Sequence, residues 1–388
     1  MTRPKRATRG PTADPPPRDA SAEARPAGRV YLSHATEDPR WDSFLAGVPG
    51  DNHTQTSLWA QVKATVGWRA VRVLAERNDR IVGGAQILYR HVLGMGALGY
   101  IPHGPVLAEG DQAIGAEVMA EIERALRSMR VRVLAVQPPG MTEHWPSYMG
   151  SPGYVTTDTQ LAPRATSVLD VSRDPDEILS AMATKTRYNV RLSGRRSVVV
   201  REGTEDDLDT YYRMLQATAS RQGFTPLPER YFKAIWETMA PRGHLRFALA
   251  EVDGRAVSGQ LAIAFGDTVN NKLSVWSGEA GRDRPNEALQ WSTIRWAHDH
   301  GYRSYDFEGL DLDAARALLR NEPLPPSLSQ SVTSFKLGFG GDVVLKPPVG
   351  LLVPNAALRW VFTTLQPSLS RPGAKDIVNR LRVRSNPR

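Results

Sequence analysis

The chain has 388 residues, 41% of them hydrophobic and 23% charged, with a net charge of +8 and no cysteine. That length exceeds one ordinary core and predicts about two domains with room for a cleft between them. Disulfides, thiolate nucleophiles and cysteine-based metal centres are excluded; the eight histidines form no HxxxH pair, and no metal site is expected; and no apolar run approaches the roughly 20 residues that span a bilayer.

Residues 1–27, rich in Pro, Arg and Ala, hold almost no large apolar side chain and read as a disordered tail. A first domain is expected over 28–165. In it VRVLAERNDRIVGGAQILYR reads as a hairpin turning at Asn78-Asp79, and IGAEVMAEIERALRSM as an amphipathic helix ahead of the apolar strand VRVLAVQ. A second domain is expected over 166–348. Asp174-Pro175 opens a helix carrying Ile178, Met182 and Leu192 on one side; Thr204 and Asp207 cap another whose stripe is Leu208, Tyr211, Tyr212 and Leu215; a third follows Pro228. ALAEVDGRAVSGQLAIAF (248–265) overlays RVLAERNDRIVGGAQILY (72–89) at its Ala-Glu, turn, Arg, Val and Gly positions, and each precedes a helix and a strand. A duplicated α/β module with a cleft at the seam is the simplest architecture. Residues 349–388 are expected to form a C-terminal helix, LLVPNAALRWVFTTL, followed by a basic tail.

Three constellations carry candidate chemistry. ATKTRYNVRLSGRR places Lys185, Arg187, Arg191, Arg195 and Arg196 along one helix, as either a solvated face or an anion contact. GYRSYDFEG reads as a strand with Tyr305 and Phe307 on one face and Asp306 and Glu308 on the other, where two carboxylates can serve as a general base or hold an amine. SFKLGFGG has its glycines after the lysine, the reverse of a phosphate loop; a period-two reading makes it a strand with Lys336 opposite Phe335, Leu337 and Phe339, where the glycines thin the wall around the lysine. The stretch from 311 to 331 before it reads as an inserted loop. The excess of Lys and Arg favours an anionic partner, whether nucleic acid, anionic lipid or a phosphorylated substrate.

In chain order, QTSLWAQV, IVGGAQILYR, YIPHGPVL, DxxxILxxMxxKTRYNVR, RPNEALQW, YDFEG and SFKLGFGG resemble the Fem family of non-ribosomal peptidyltransferases over about residues 30–345. The resemblance implies an α/β (α+β) fold of tandem GNAT-like acyltransferase domains with a cleft between them. It also implies transfer of an amino acid from aminoacyl-tRNA to an amine of a peptidoglycan precursor, lipid-linked or nucleotide-linked, without a cofactor. By the same likeness Lys336 is the expected catalytic residue; Asp306 and Glu308, read from the strand pattern above, are the expected catalytic carboxylates. Phe335, Lys185, Arg187, Arg191, Tyr100, Tyr231 and Trp276 are the expected substrate contacts.

The chain departs from the family pattern at His103, where relatives commonly carry Arg; at Ala108, where many are acidic, with Glu109 as a substitute; and at Trp276 and Leu227. No charged heptad arm interrupts the second half, so a short form is expected, acting as a cytoplasmic monomer with peripheral contact to anionic membrane. Aminoacyl transfer onto an antibiotic or other small-metabolite scaffold is the alternative within the family. A CoA-dependent N-acyltransferase is a second, although RPNEALQW stands where its pyrophosphate turn would be. A non-enzymatic basic binder is a third.

Overall fold

The computed structural model describes residues 28–92, 96–108, 112–140, 154–157, 162–357, 359–360 and 364. The expected N-terminal tail, Glu109 and the basic segment from Arg371 to Arg388 lie outside the described residues.

The first sheet grows from strands β1 (Gly28–Ser33), β2 (Arg69–Arg77), β3 (Arg80–Val92), β4 (Gly96–Ile101), β5 (Val106–Leu107), β6 (Val131–Val136) and β7 (Tyr154–Thr157). Asn78 and Asp79 both take positive φ, 50° and 58°, the twist that closes a two-residue hairpin between β2 and β3. Helices α1 (Pro39–Ala46), α2 (Ser57–Ala64) and α3 (Gln112–Ser128) accompany this sheet, α3 burying Ile114, Val118, Ile122 and Leu126 on it. The second sheet grows from β8 (Ala165–Asp170), β9 (Val199–Glu202), β10 (Leu245–Val252), β11 (Arg255–Phe265), β12 (Thr268–Trp276), β13 (Ser304–Asp306) and β14 (Asp342–Leu345). Its helices are α4 (Pro175–Ala181), α5 (Thr184–Arg195), α6 (Leu208–Gln222), α7 (Glu229–Met239), α8 (Pro285–Asp299), α9 (Leu312–Leu319) and α10 (Val332–Leu337).

The two halves repeat one another. The orders β1-β2-β3-β4-β6 and β9-β10-β11-β12-β13 match, each ending in a single parallel pairing, β4 with β6 and β12 with β13. Both hairpins shift register at the same Ala-Glu step, Ala75/Glu76 and Ala250/Glu251. The echo in the sequence is therefore a structural duplication.

Completion of each sheet crosses the seam. A final strand, β15 (Val349–Leu352), returns to the first sheet and lies antiparallel between β6 and β7, while β8 lies between β13 and β14 in the second. The backbone N–H of Lys346, at the head of the returning crossing, donates to Arg164 O of the outgoing one at 2.8 Å. α2 adds a further tie, since Leu58, Trp59 and Val62 pack in one cluster with Tyr211, Leu215, Tyr231, Phe232 and Ile235 of α6 and α7.

Four expectations are corrected. SFKLGFGG is helical from Val332 to Leu337: the Ser331 side chain caps it by accepting from the Ser334 N–H at 3.2 Å, and Phe335 and Phe339, four apart, meet with ring centroids 5.2 Å apart. Residues 311–331 include α9, whose cap Asp311 accepts from the Asp313 and Ala314 N–H groups. The helix expected from Asp174 breaks after Ala181, because the Ala183 N–H is taken by Gly338 O at 3.0 Å. Leu351 and Leu352 belong to β15, not to a helix, because the gap between β6 and β7 offers a ladder on both sides. No described helix is long and apolar enough to cross a membrane.

Because β15 is internal and Val349, Leu352 and Val353 are fully or nearly buried, a chain ending at Pro348 loses several side chains worth about 1.5–3 kcal/mol each. It should aggregate or melt well below the intact protein in a thermal unfolding scan, whereas a chain ending at Leu365 should melt close to it. Equal melting of the two truncated forms would contradict this account of the seam.

Candidate active site between the two sheets

The crossing that returns the chain to the first sheet carries a lysine into the seam. Lys346 Nζ lies 3.2 Å from Asp51 Oδ2, 3.4 Å from His103 Nε2 and 3.9 Å from Asp306 Oδ2, with only 10% of the side chain exposed. Asp51 also meets His53, its Oδ1 2.6 Å from Nδ1, and His103, its Oδ2 2.9 Å from Nδ1. Burial pushes the Asp51 carboxyl up, but His103, His53 and Lys346 outweigh it and hold the group well below the usual carboxylate range. Burial alone would lower Lys346; Asp51, Asp306 and Glu308 raise it instead. Burial and Lys346 together lower His103, against the pull of Asp51, so the imidazole suits a neutral bridge between cation and carboxylate. His103 has φ 46°, held there by the loop in which the Gly104 N–H donates to Gln137 O.

Strand β13 supplies the opposing wall. Tyr305 and Phe307 are buried in the second core while Asp306 and Glu308 face the seam, as the alternation predicts. Asp306 Oδ1 accepts from the Thr166 hydroxyl and, at 2.7 Å, from the Glu308 N–H. Burial raises its pKa, against the opposing charge of Lys346. Glu308, at φ 45°, accepts from Lys272 Nζ at 3.0 Å. Lys336 reaches the same spot from α10: its Nζ donates to Glu308 O and, at 2.9 Å, to Gly309 O. Burial lowers its pKa, and Glu308 and Asp306 oppose the loss of its proton. A desolvated ammonium is thus anchored beside two carboxylates where both domains meet.

Aromatic rings flank this group. Lys272 Nζ lies 5.1 Å from the Trp59 ring centroid, and Lys63 Nζ lies 5.3 Å from Trp59 and 5.2 Å from Tyr231. Trp59 and Tyr231 meet edge to face at 6.2 Å, and His53 meets Trp59 at 5.2 Å. Burial pushes the Tyr231 phenol up, with the charge of Glu308 adding to it.

Of the expected site residues, Lys336, Asp306 and Glu308 come together here, and Tyr231 reaches the same group through Trp59 and Glu308. Phe335 is partly buried and packs against Phe339 at the edge of the second core. Lys185 and Arg191 are exposed on α5, and Arg187 is spent on the carbonyls of Ser180 and Met182. Tyr100 donates to Gln137 Oε1 at 2.7 Å beside the His103 loop. Trp276 is held elsewhere, its indole donating to Glu279 O at 2.7 Å under the guanidinium of Arg221. The glycines of the motif serve packing and turning: Gly341 has φ 92°, and a Cβ there would lie 2.7 Å from Ser167 Oγ and 2.8 Å from Val168 O. Sequence reasoning missed Asp51, His53, Thr166, Lys272 and Lys346, and noted His103 only as a departure. Among the described residues no three His, Cys, Asp or Glu are grouped to hold a metal ion.

The seam charges have opposite pH signatures. Asp51, depressed, stabilises the fold above the unfolded carboxylate value of about 3.9 and loses that contribution as pH falls below it; Asp306, raised, costs stability as pH rises from about 3.9 through its folded value. Lys346→Met strands both carboxylates and should cost about 3–5 kcal/mol at pH 7 in urea unfolding. The deficit should narrow at pH 5, since Asp51 then behaves as Asp306 does. A deficit equal at both pH values would show that Lys346 acts through packing alone.

Comparison with known proteins fits this geometry. Residues 36–147 match the model of the FemAB family and residues 173–314 that of a GNAT acetyltransferase domain. The Lipid II:glycine glycyltransferase of Staphylococcus saprophyticus subsp. saprophyticus is 22% identical over 421 aligned positions, covering 87% of this chain and 97% of the relative. Its counterpart in Staphylococcus aureus (strain COL) is 24% identical, covering 86% and 96%. The alignments run longer than the 388 residues of this chain, so both relatives carry segments it lacks. A crystal structure of FemX superposes with a TM-score of 0.74 at 18% identity, covering 87% of this chain and all of that one. The first domain is thus similar to the FemAB family, the second to a GNAT acetyltransferase domain, and the tandem of two such sheets is the fold of FemX.

Proposed function

We propose that the protein transfers an aminoacyl group from an aminoacyl-tRNA ester to an amine of a peptidoglycan precursor, building an interpeptide bridge. One observation carries the reading: the desolvated ammonium of Lys336, fixed on the Glu308 and Gly309 carbonyls at the interdomain seam. Kinship with Lipid II:glycine glycyltransferases supports the class of reaction and the acceptor. The tRNA donor is our reading of the ester, supported by the net charge of +8.

In the reaction the acceptor amine nitrogen attacks the ester carbonyl carbon, the new C–N bond forms and the bond to the ribose oxygen breaks. The proton lost by the amine ends on that ribose oxygen, so the balance needs no cofactor. Negative charge grows first on the carbonyl oxygen and then on the departing oxygen. Lys336 sits out of bulk water, where one cation is worth far more than at a surface, and its two carbonyl anchors remove the need to reorganise during the reaction. In this reading Glu308, with Asp306 behind it, steers the proton of the incoming amine toward the departing oxygen. The protein works as a monomer, and contact with anionic lipid falls to its basic C-terminal segment.

Lys336→Ala should lower kcat by about a hundredfold to a thousandfold with a much smaller change in KM, in line with loss of one preorganised donor. The assay supplies labelled aminoacyl-tRNAs with lipid-linked or nucleotide-linked precursor, and RNase pretreatment should abolish transfer. Full activity of a folded Lys336→Ala protein would remove the lysine from catalysis. Activity that resists RNase and requires acetyl-CoA would replace the whole reading with CoA-dependent acylation.

A further inference from the structure

Behind Lys336 the second sheet holds a polar group with no structural task. Asn270 on β12 is 1% exposed, and neither atom of its side-chain amide has a hydrogen-bond partner. Buried amides are almost always partnered, so an orphaned one marks a place where something polar belongs. The next residue shows the contrast: Asn271, on the opposite face, donates to Gln290 Oε1 at 3.1 Å within the core. The parallel register pairs Asn270 with Asp306, so the two side chains leave the same face of the sheet side by side. Two residues further along each strand path stand Lys272 and Glu308, joined at 3.0 Å. Exposure rises outward, from 3% at Asp306 to 18% and 24% for the side chains of Glu308 and Lys272. Asp306 and Asn270 are thus the innermost members of this polar cluster, and Glu308, Lys272 and Lys336 lie nearer the surface. Asp306 leaves one oxygen for a ligand: Oδ1 is taken by Thr166 and the Glu308 N–H, whereas Oδ2 has Lys346 only at 3.9 Å.

We propose that these side chains line a recess that binds the α-ammonium of the aminoacyl donor, with Asp306 Oδ2 and Asn270 Oδ1 accepting its protons while the ester carbonyl faces Lys336. The inference rests on the transfer reading above and adds to it the recognition of a free α-amine. An α-ammonium is separated from its ester carbonyl by a single carbon, which matches an acidic floor directly behind a cationic rim. The carboxylates also offset the repulsion that Lys336 would otherwise exert on a second cation so close. Peptidyl or N-blocked esters, lacking the ammonium and adding bulk, are excluded by the same floor.

The test uses the full chain and two stable probes, 3′-deoxy-3′-glycylamido-adenosine and its N-acetyl derivative, with binding read by calorimetry. The unmodified protein should bind the free-amine probe about tenfold to a hundredfold more tightly, as expected for charge-assisted hydrogen bonds. Asp306→Asn and Asn270→Ala should reduce that preference to near unity. Asn270→Ala, which deletes only unpartnered atoms, should melt no lower than the unmodified protein. In transfer assays the ratio of kcat/KM for glycyl-tRNA over N-acetylglycyl-tRNA should collapse likewise in both variants, a change that a merely structural defect, lowering both donors together, would not give. Equal affinity for the two probes, no binding of either, or a preference that survives both substitutions overturns the recess as an amine site. A clear amine preference in a protein that transfers from no aminoacyl-tRNA would instead overturn the transfer reading and leave the recess standing.

Discussion

Everything in the seam turns on one buried ammonium placed between carboxylates of different domains. Lys346 faces Asp51 from the first domain and Asp306 from the second, and it arrives there because the chain must cross the seam to deliver β15 to the first sheet. Two carboxylates and a lysine taken from water together would be costly without mutual contact; their closeness, with His53 and His103 completing the shell of Asp51, offsets the desolvation. The same contact fixes the spacing of the two sheets. The relative position of Asp306, Glu308 and Lys336 to the aromatic wall of Trp59 depends on that spacing.

Lys336 and Lys346 show how environment separates two residues of one type. Both are desolvated, yet Lys346 has carboxylates within 4 Å and is raised, while Lys336 rests on backbone carbonyls and is lowered. A cation held by full charges is a structural fastener. One held by dipoles, with carboxylates at the next remove, keeps more of its field for a charge that develops nearby, which is what acyl transfer requires. Strands that cross the seam complete the sheets on either side of this site, and no long coiled-coil arm is present among the described residues.

Much of the fold was legible. The Asn78-Asp79 turn, the alternation in YDFEG and the match between 72–89 and 248–265 each reflect a local rule that the structure obeys. Errors fell where two local rules competed. Phe335 and Phe339 satisfy both a period of two and a spacing of four, and only the cap at Ser331 and the shared core chose the helix. Leu351 and Leu352 suit a helix or a strand equally, and the open ladder between β6 and β7 chose the strand.

The amino-acid sequence by itself determined the duplicated hairpins and the exclusion of cysteine chemistry, and it singled out Lys336, Asp306 and Glu308 as candidates, because these follow from residue type, short-range period and motif order. It left open which distant side chains would share a site. Asp51 and Lys346 are 295 positions apart and no periodicity links them; they meet because β15 crosses the seam. The orphaned amide of Asn270 could be seen only once the register of β12 on β13 was known, for a hydrogen bond, made or missing, is a property of three-dimensional neighbours.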